Sequence, residues 1–483
     1  MFIYWTLPFL QKAGLKVWVF AVKKQPEVMS QRVCKILDYL GYSEDIVSLR
    51  RDHTRARPRF FNVASRRETL VPAGSTAEGF VTYFESDHDT VLLQKNVVCV
   101  LFGKDLPQNE RDEAVTVLKL EWKKCEPGYY RLVLLQGGTE SDPYINFSTV
   151  DYGNGKQYIS SDLYLQAHKI ASDMRKIYPL KESHIAGPAL SGSSGLHDFD
   201  HVYAFKLDAQ QTLLSEWKHR TRIFEWPSEI LVHDVALSEA YLVPVGSKTS
   251  NNRDLEWRIC FMDGERKLID SLNEFQYKIY IILKMVNTVE LKCVCKEMTS
   301  YVMKNILFWY LESNPLEVFT AERLLENTLN CLNILRVAVD QCFLAKYMIR
   351  KRNLLAGRIE EEERKNLLST LDTLIADGGG FIIRCPRILF CLYKSEDVVE
   401  RGLNYRKNIE KLYLQKLAVR NEYVYGDNLC QSESSEKEQM FVKDPRYQQI
   451  QKKLYELLWP GWRKYSKGDR NKKLELKIKR MLS

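Results

Sequence analysis

A Gly74-Ser75 pair followed, twelve residues after the serine, by Asp87-His88-Asp89 constrains this chain more than any other stretch. A Gly-Ser turn opening a short helix offers backbone N–H groups and a hydroxyl to the phosphates of a triphosphate, and the helix dipole favours the negative charge. Carboxylates at i and i+2 of the following strand point to one face, where they can share Mg²⁺ ions that bridge those phosphates. Both patterns also occur in ordinary surface turns, so the reading needs a third acid to complete a two-metal site and help activate an attacking hydroxyl. Asp200 supplies it, in the run Asp198-Phe-Asp-His-Val-Tyr-Ala-Phe205. There Val202 and Ala204 alternate with Tyr203 and Phe205, which predicts a strand.

With these residues in hand, the sequence resembles the Mab-21 family, and within it the cyclic GMP-AMP synthase-like receptors. Gly74-Ser75-Thr-Ala-Glu78-Gly79-Phe and Glu85-Ser-Asp87-His-Asp89 look like the family's opening motif, and Asp200-His-Val-Tyr-Ala-Phe is similar to its third-acid strand. Trp226-Pro227, Tyr241-Leu-Val-Pro244-Val-Gly, Glu256-Trp257-Arg258-Ile-Cys-Phe261 with Glu265, Leu283-Lys284 and Thr299-Ser300-Tyr301-Val-Met-Lys304 follow in the family's order. The resemblance thus covers residues 27 to 425 in ordered blocks. It implies that Gly74 and Ser75 meet donor phosphates while Asp87, Asp89 and Asp200 bind Mg²⁺, with Mn²⁺ as a substitute. It further implies that Arg258 and Glu265 line the nucleotide pocket, Lys284 and Ser300 steady phosphates, and Tyr301 stacks on a base. These roles suit the side chains: arginine is a rigid fork for phosphate or guanine edges, and a tyrosine face stacks on any base. Packing or a solvated surface is the alternative for these five residues.

The chain departs from the family at Cys260 and Met262, which stand in place of small polar residues and leave the acceptor base open. No His/Cys-rich insertion follows Glu265, so the zinc loop that grips double-stranded DNA in cyclic GMP-AMP synthase is not expected.

The net charge of +9 is local. Residues 461 to 483 carry nine Lys/Arg against two acids, and residues 50 to 67 carry seven Arg against one acid. The segment Arg50-Arg51-Asp-His-Thr-Arg55-Ala-Arg57-Pro-Arg59 lies where the family has a long helix beside its nucleic-acid surface, and could hold double-stranded RNA by shape and phosphate contacts. It reads equally as a solvated basic face, and the tail reads as a flexible basic end. The 11 cysteines are scattered, several inside apolar runs such as Val97-Val-Cys99-Val-Leu101, which suits reduced thiols in the cytoplasm. Cys293-x-Cys295 lacks a second pair, and His197 with His201 lacks a helical context, so neither is read as a metal site. Met1 to Val22 is aromatic and apolar but is interrupted by Gln11, Lys12 and Lys16, which falls short of a membrane span.

Apolar spacing at Val33, Ile36, Leu37 and Leu40 predicts a helix before the Arg-rich segment. Strands are predicted at 80–84, 90–93, 97–102 and 129–135, and a loop over 183–197, where Gly187-Pro188 and Ser191-Gly-Ser-Ser-Gly195 cluster. Helices are predicted near 264–287, 297–312, 319–346, 360–376, 398–424 and 446–458, with a glycine turn at Asp377-Gly378-Gly-Gly380. Trp217, Trp226 and Trp257 are read as core or cleft packing.

The expected architecture is α+β: an N-terminal extension (1–26), a nucleotidyltransferase-type mixed sheet lobe (27–263), a helical lobe (264–425), and a linker, short helix and basic tail (426–483), with the active site in the cleft between the lobes. The expected function is Mg²⁺-dependent joining of ATP and/or GTP into a cyclic dinucleotide by a nucleic-acid-activated innate immune sensor. The alternatives are a non-catalytic Mab-21 scaffold or regulatory nucleotide-binding protein, and an enzyme that extends RNA ends.

Overall fold

The computed structural model describes residues 24–64, 67–82, 85, 87–101, 114–139, 142–153, 155–174, 181–194, 197–208, 213–425, 440–458 and 473–478. The N-terminal apolar segment before residue 24, most of the 426–445 linker and most of the basic tail lie outside these residues.

Along the chain, α1 (Pro26–Leu37) starts with a proline, whose missing N–H is one of those a first turn leaves unpaired. It buries Val33, Ile36 and Leu37, and Leu40 is buried just beyond, as the helical spacing predicts. There follow α2 (Glu44–Ala64), β1 (Glu68–Pro72), the single-turn α3 (Gly74–Ala77), β2 (His88–Val100), β3 (Thr116–Glu121) and β4 (Tyr129–Gln136). Next come α4 (Pro143–Ser148), β5 (Thr149–Asp151), β6 (Gln157–Ile159), α5 (Ser161–Met174), β7 (Lys181–Ala186), β8 (Ala189–Ser194) and β9 (His197–Asp208). After α6 (Ser215–Lys218) and α7 (Glu229–Ala236), β10 (Ala240–Val243) and β11 (Glu256–Cys260) complete the large sheet. The remainder is α8 (Met262–Asp270), α9 (Glu274–Val286), α10 (Ser300–Glu312), α11 (Leu324–Asp340), a small β12 (Ala345–Lys346) and β13 (Ile349–Asn353) ribbon, α12 (Glu361–Ala376), α13 (Pro386–Tyr393), α14 (Glu396–Tyr425) and α15 (Pro445–Leu458). The chain is therefore α+β, and among the described residues no helix is long and apolar enough to cross a membrane.

Two compact units form. The sheet unit comprises Glu44–Gln210, Glu239–Asp263 and Arg401–Ser483; the helical unit comprises Met1–Ser43, Gln211–Ser238 and Gly264–Glu400. In the sheet unit β2 is the hub, pairing antiparallel with β1 and parallel with both β3 and β9. Parallel strands are usually covered on both faces, and β2 accordingly buries Val91, Leu92 and Leu93, then Val97, Cys99 and Val100, in two apolar runs separated by Gln94-Lys95-Asn96.

Several predicted elements come out differently. Residues 90–93 and 97–100 of the two predicted strands form one strand, β2, that bends by a register shift between Leu93 and Val98 and ends at Val100. Residues 80–82 form no strand, because they finish the turn begun at Gly74. The loop predicted over 183–197 contains a hairpin, β7 to β8, turning at Gly187-Pro188. Its serines pair through their backbones with β9, an option that small polar side chains hide from a hydrophobicity pattern. The helix predicted over 264–287 is broken at 271–273, where Asn273 caps α9 and Gln276 returns the bond to the Asn273 N–H. Trp217, Trp226 and Trp257 are buried, and Gly378 adopts a positive φ at the end of α12.

Candidate functional site

The sheet unit brings the acid motif together by register. Cα atoms of Asp89 on β2 and Asp200 on β9 are direct partners across the parallel pair, on strands about 4.8 Å apart. Burial alternates at the start of β2: Asp87 is exposed, His88 buried, Asp89 half-buried and Thr90 buried. Asp87 and Asp89 therefore share one side, as the i, i+2 spacing requires. The same parity continues through Val91 and Leu93 on β2 and Val202 and Ala204 on β9, which form one apolar cluster with Tyr241 and Val243. Arg258 belongs to this face as well, since it pairs with Val243 on β10 and with Tyr129 on β4. Its neighbour Trp257 points the other way, fully buried, and donates from Nε1 to the Ile159 carbonyl at 2.8 Å.

The Gly74-Ser75 turn is seated directly on this face. Ala73 N–H donates to the Asp89 carbonyl at 3.0 Å, and Thr76 Oγ1 donates to the Asp87 carbonyl at 3.1 Å. Gly74 has φ +64°, and a Cβ built on it would overlap Asp89 Oδ2. The carboxylate thus occupies the space that any side chain at 74 would need, a requirement beyond backbone freedom. Asp200 is oriented separately: Ser191 on β8 is its cross-strand partner and donates from Oγ to Asp200 Oδ1 at 2.5 Å. With Asp89 turned to Gly74 and Asp200 to Ser191, the three acids share a face without closing on a common point. Among the described residues no three His, Cys, Asp or Glu side chains form a group arranged to hold a metal ion. The donors are nonetheless hard carboxylate oxygens on neighbouring strands, the chemistry that Mg²⁺ or Mn²⁺ takes.

Cys260 and Met262, the departures from the family pattern, pack against the apolar cluster beneath the acids. Their packing role accounts for apolar character at both positions.

The helical unit gathers the other candidates into two neighbouring sets. Glu265 on α8 is buried and accepts a 2.7 Å hydrogen bond from the Tyr301 hydroxyl. Lys346 on β12, itself buried, lies 3.5 Å from the same Glu265 oxygen. Lys346 and Lys304 also place their ammonium groups 6.0 and 5.9 Å from the centre of the Tyr301 ring, within reach of its quadrupole. Lys284 on α9 sits over the Tyr280 ring at 5.6 Å, and the Tyr280 hydroxyl donates to the Ser300 carbonyl at 3.4 Å. Sequence reasoning misses Lys346, Tyr280 and Ser191. Tyr280 lies one helical turn before Lys284 and can be found by that spacing. Lys346 and Ser191 carry no local signal.

The Arg-rich segment requires a correction. Arg50 is expected on a nucleic-acid surface, but its side chain is only 4% exposed and its Nε and Nη2 both donate to the Glu410 carboxylate, at 2.6 and 2.8 Å. Arg51 donates from Nε to the Glu78 carbonyl at 2.9 Å and lies over the Phe80 ring. Helical rotation turns both toward the Gly-Ser turn, where Arg50 is buried and Arg51 half-buried. Arg55 is half-buried, and the side chains of Arg57 and Arg59 fall outside the described residues. The cysteines among the described residues are free thiols, with Cys99 and Cys391 buried in their apolar runs. Cys293 is exposed, while Cys295 is buried beside Glu363.

Compared with known families, residues 275–373 match the model of the Mab-21 protein HhH/H2TH-like domain. The match spans α9 to α12 and supports the Mab-21 resemblance over the helical region. A search of curated proteins finds no match.

Proposed function

We propose that this protein is a Mab-21-type nucleotidyltransferase of the cyclic GMP-AMP synthase-like receptor kind, joining ATP and/or GTP into a cyclic dinucleotide in the cytoplasm. The observation that carries the reading is the seating of Gly74 against Asp89, with Asp89 in register with Asp200. A phosphate-binding turn and two acids on adjacent strands are thereby fixed to one another by backbone hydrogen bonds.

Asp87, Asp89 and Asp200 would hold Mg²⁺, or Mn²⁺ in its place. When bound, the metal neutralises triphosphate oxygens and favours departure of pyrophosphate. The Ser75 hydroxyl and the N–H groups of the turn hold the donor phosphates. Asp200 accepts the proton of the acceptor hydroxyl, and Ser191 keeps that carboxylate oriented. A new oxygen–phosphorus bond forms as the bond between the α- and β-phosphates breaks, and a second such transfer closes the ring. Arg258, Glu265, Lys284 and Ser300 serve nucleotide recognition, and Tyr301, its hydroxyl tied to Glu265, offers a ring face for a base. We assign activation to double-stranded RNA. The phosphate contacts are proposed for Arg55, Arg57 and Arg59 of the same segment.

The test is to incubate the full chain with Mg²⁺ and the four nucleoside triphosphates, with and without RNA or DNA duplexes, and to identify products by mass spectrometry. A cyclic dinucleotide that disappears in Asp87→Asn/Asp89→Asn supports the reading. Absence of product in every mixture rejects it in favour of a non-catalytic scaffold, and duplex binding without salt dependence rejects RNA activation.

A further inference from the structure

Among the described residues, the most deeply buried ion pair of the sheet unit, Arg50 with Glu410, joins helix α14 to the Gly-Ser turn. The one-turn helix α3 leaves carbonyls at its end without helical partners. Gly79, at φ +75°, closes that end, and a Cβ there would meet the Val47 carbonyl at 2.6 Å. Three side chains of α2 then serve the carbonyls of the turn. Thr54 Oγ1 donates to Thr76 at 3.4 Å, Arg51 Nε to Glu78 at 2.9 Å and Arg50 Nη1 to Gly79 at 3.2 Å. The turn closes on itself, since Phe80 N–H donates to the Ser75 carbonyl.

The rest of the Arg50 guanidinium is held by Glu410. Its Nε and Nη2 grip the Glu410 carboxylate, and both side chains are at most 4% exposed. A guanidinium is planar and rigid, so the direction of Nη1 follows from where Glu410 holds the other two nitrogens. Near this point on α14, Lys407 and Lys411 both bond Asp45 at the start of α2 at 2.8 Å. The helix that carries Glu410 is therefore clamped to α2 at two places.

We infer that Arg50 and Glu410 are positioning residues for the phosphate-binding turn, through which the placement of the long helix α14 sets the geometry of Gly74–Phe80. The role assigned to that turn rests on the proposed nucleotide function; the mechanical coupling does not. A displacement of α14 would withdraw the guanidinium from the Gly79 carbonyl and release the segment that closes onto Ser75. A shift of α14 and a loss of phosphate affinity are then the same event.

The test uses the full chain. Arg50→Met/Glu410→Met removes both buried charges together, which keeps the site packed and avoids leaving one charge unpaired. Arg50→Lys retains a cation for Glu410 but cannot fork to Gly79. Two readouts are taken: amide hydrogen exchange over residues 76–80, with α11 of the helical unit as internal reference, and the affinity for ATP with Mg²⁺. Both variants are expected to exchange faster by roughly tenfold at 76–80 with α11 unchanged, and to bind ATP roughly tenfold more weakly. Wild-type exchange at 76–80 in a folded double variant overturns the coupling. Faster exchange with unaltered ATP affinity overturns the positioning role. If the wild-type chain binds no ATP, the nucleotide reading fails, and the exchange result alone decides whether α14 controls the turn.

Discussion

Asp89 and Asp200 are held by backbone register, whereas Glu265 and Tyr301 are held by their own side chains. In the sheet unit, parallel pairing of β2 and β9 fixes the Cα atoms of the acids, and the carboxylates then rest on Gly74 and Ser191. Neither acid is needed to keep the strands together. In the helical unit, Glu265, Tyr301 and Lys346 come from a helix, a second helix and a short strand distant in sequence, and their polar groups meet in a largely buried cluster. There the candidate residues are also part of what holds the unit together. Mutation should therefore separate activity from stability in one unit and not in the other.

The largest expected effect is on activity in the sheet unit. Asp200→Asn should lower turnover by about 10²–10⁴-fold while leaving the denaturation midpoint unchanged or slightly raised, since it removes one of two neighbouring negative charges. Product analysis beside a urea melt reads both quantities. A large loss of stability would break the comparison, because the acid would then be structural.

Next in size is Lys346→Met, which leaves the buried Glu265 without its cation and should destabilise the protein by about 3 kcal/mol. The double variant Lys346→Met/Glu265→Gln should recover most of that loss, as replacing both members of a buried pair often costs little. Failure to recover it would show that Lys346 contributes by packing. A third expectation is that Gly74→Ala destabilises by about 1–3 kcal/mol, from the left-handed backbone and the overlap with Asp89. Combined with Asp89→Ala it should cost clearly less than the sum, because the overlap disappears; strict additivity would sever the turn from the acid.

The same contrast explains what is legible in the sequence. Strand parity and i, i+2 spacing act locally, so spacing alone puts Asp87 and Asp89 on one face, and the alternation around Asp200 marks a second strand to carry the third acid. The helices near 297–312, 360–376, 398–424 and 446–458 are likewise legible from their apolar period, and so is the buried stripe of α1, whereas the helix predicted over 319–346 ends at Asp340 before β12 and α13 is not predicted at all. The β7–β8 hairpin is not, because its serine-rich strand owes its place to pairing with β9. The break before α9 escapes notice because apolar residues continue through it and only the Asn273–Gln276 capping box marks it. Arg50 misleads for a different reason. A run of arginines looks alike whether its members face water or a carboxylate on a helix 360 residues away. Composition reports charge, and only tertiary pairing reports where the charge is spent.

The smallest expected effect is also the sharpest probe of the sheet unit. Ser191 contributes a single hydrogen bond to Asp200, from a hairpin strand. If register alone places the acid, Ser191→Ala should leave activity within about twofold of wild type. If the carboxylate must also be turned correctly, loss of a hydrogen bond to a charged group costs about 1.5 kcal/mol and turnover should fall roughly tenfold, with nucleotide affinity unchanged. Ser191→Thr keeps the hydroxyl and should restore most of the rate. We expect the second pattern, because Asp89 and Asp200 are turned to different partners, Gly74 and Ser191, and register does not determine the direction of a side chain. A tenfold loss rescued by threonine would mean that the sheet unit, like the helical unit, depends on a side-chain contact that strand spacing cannot reveal.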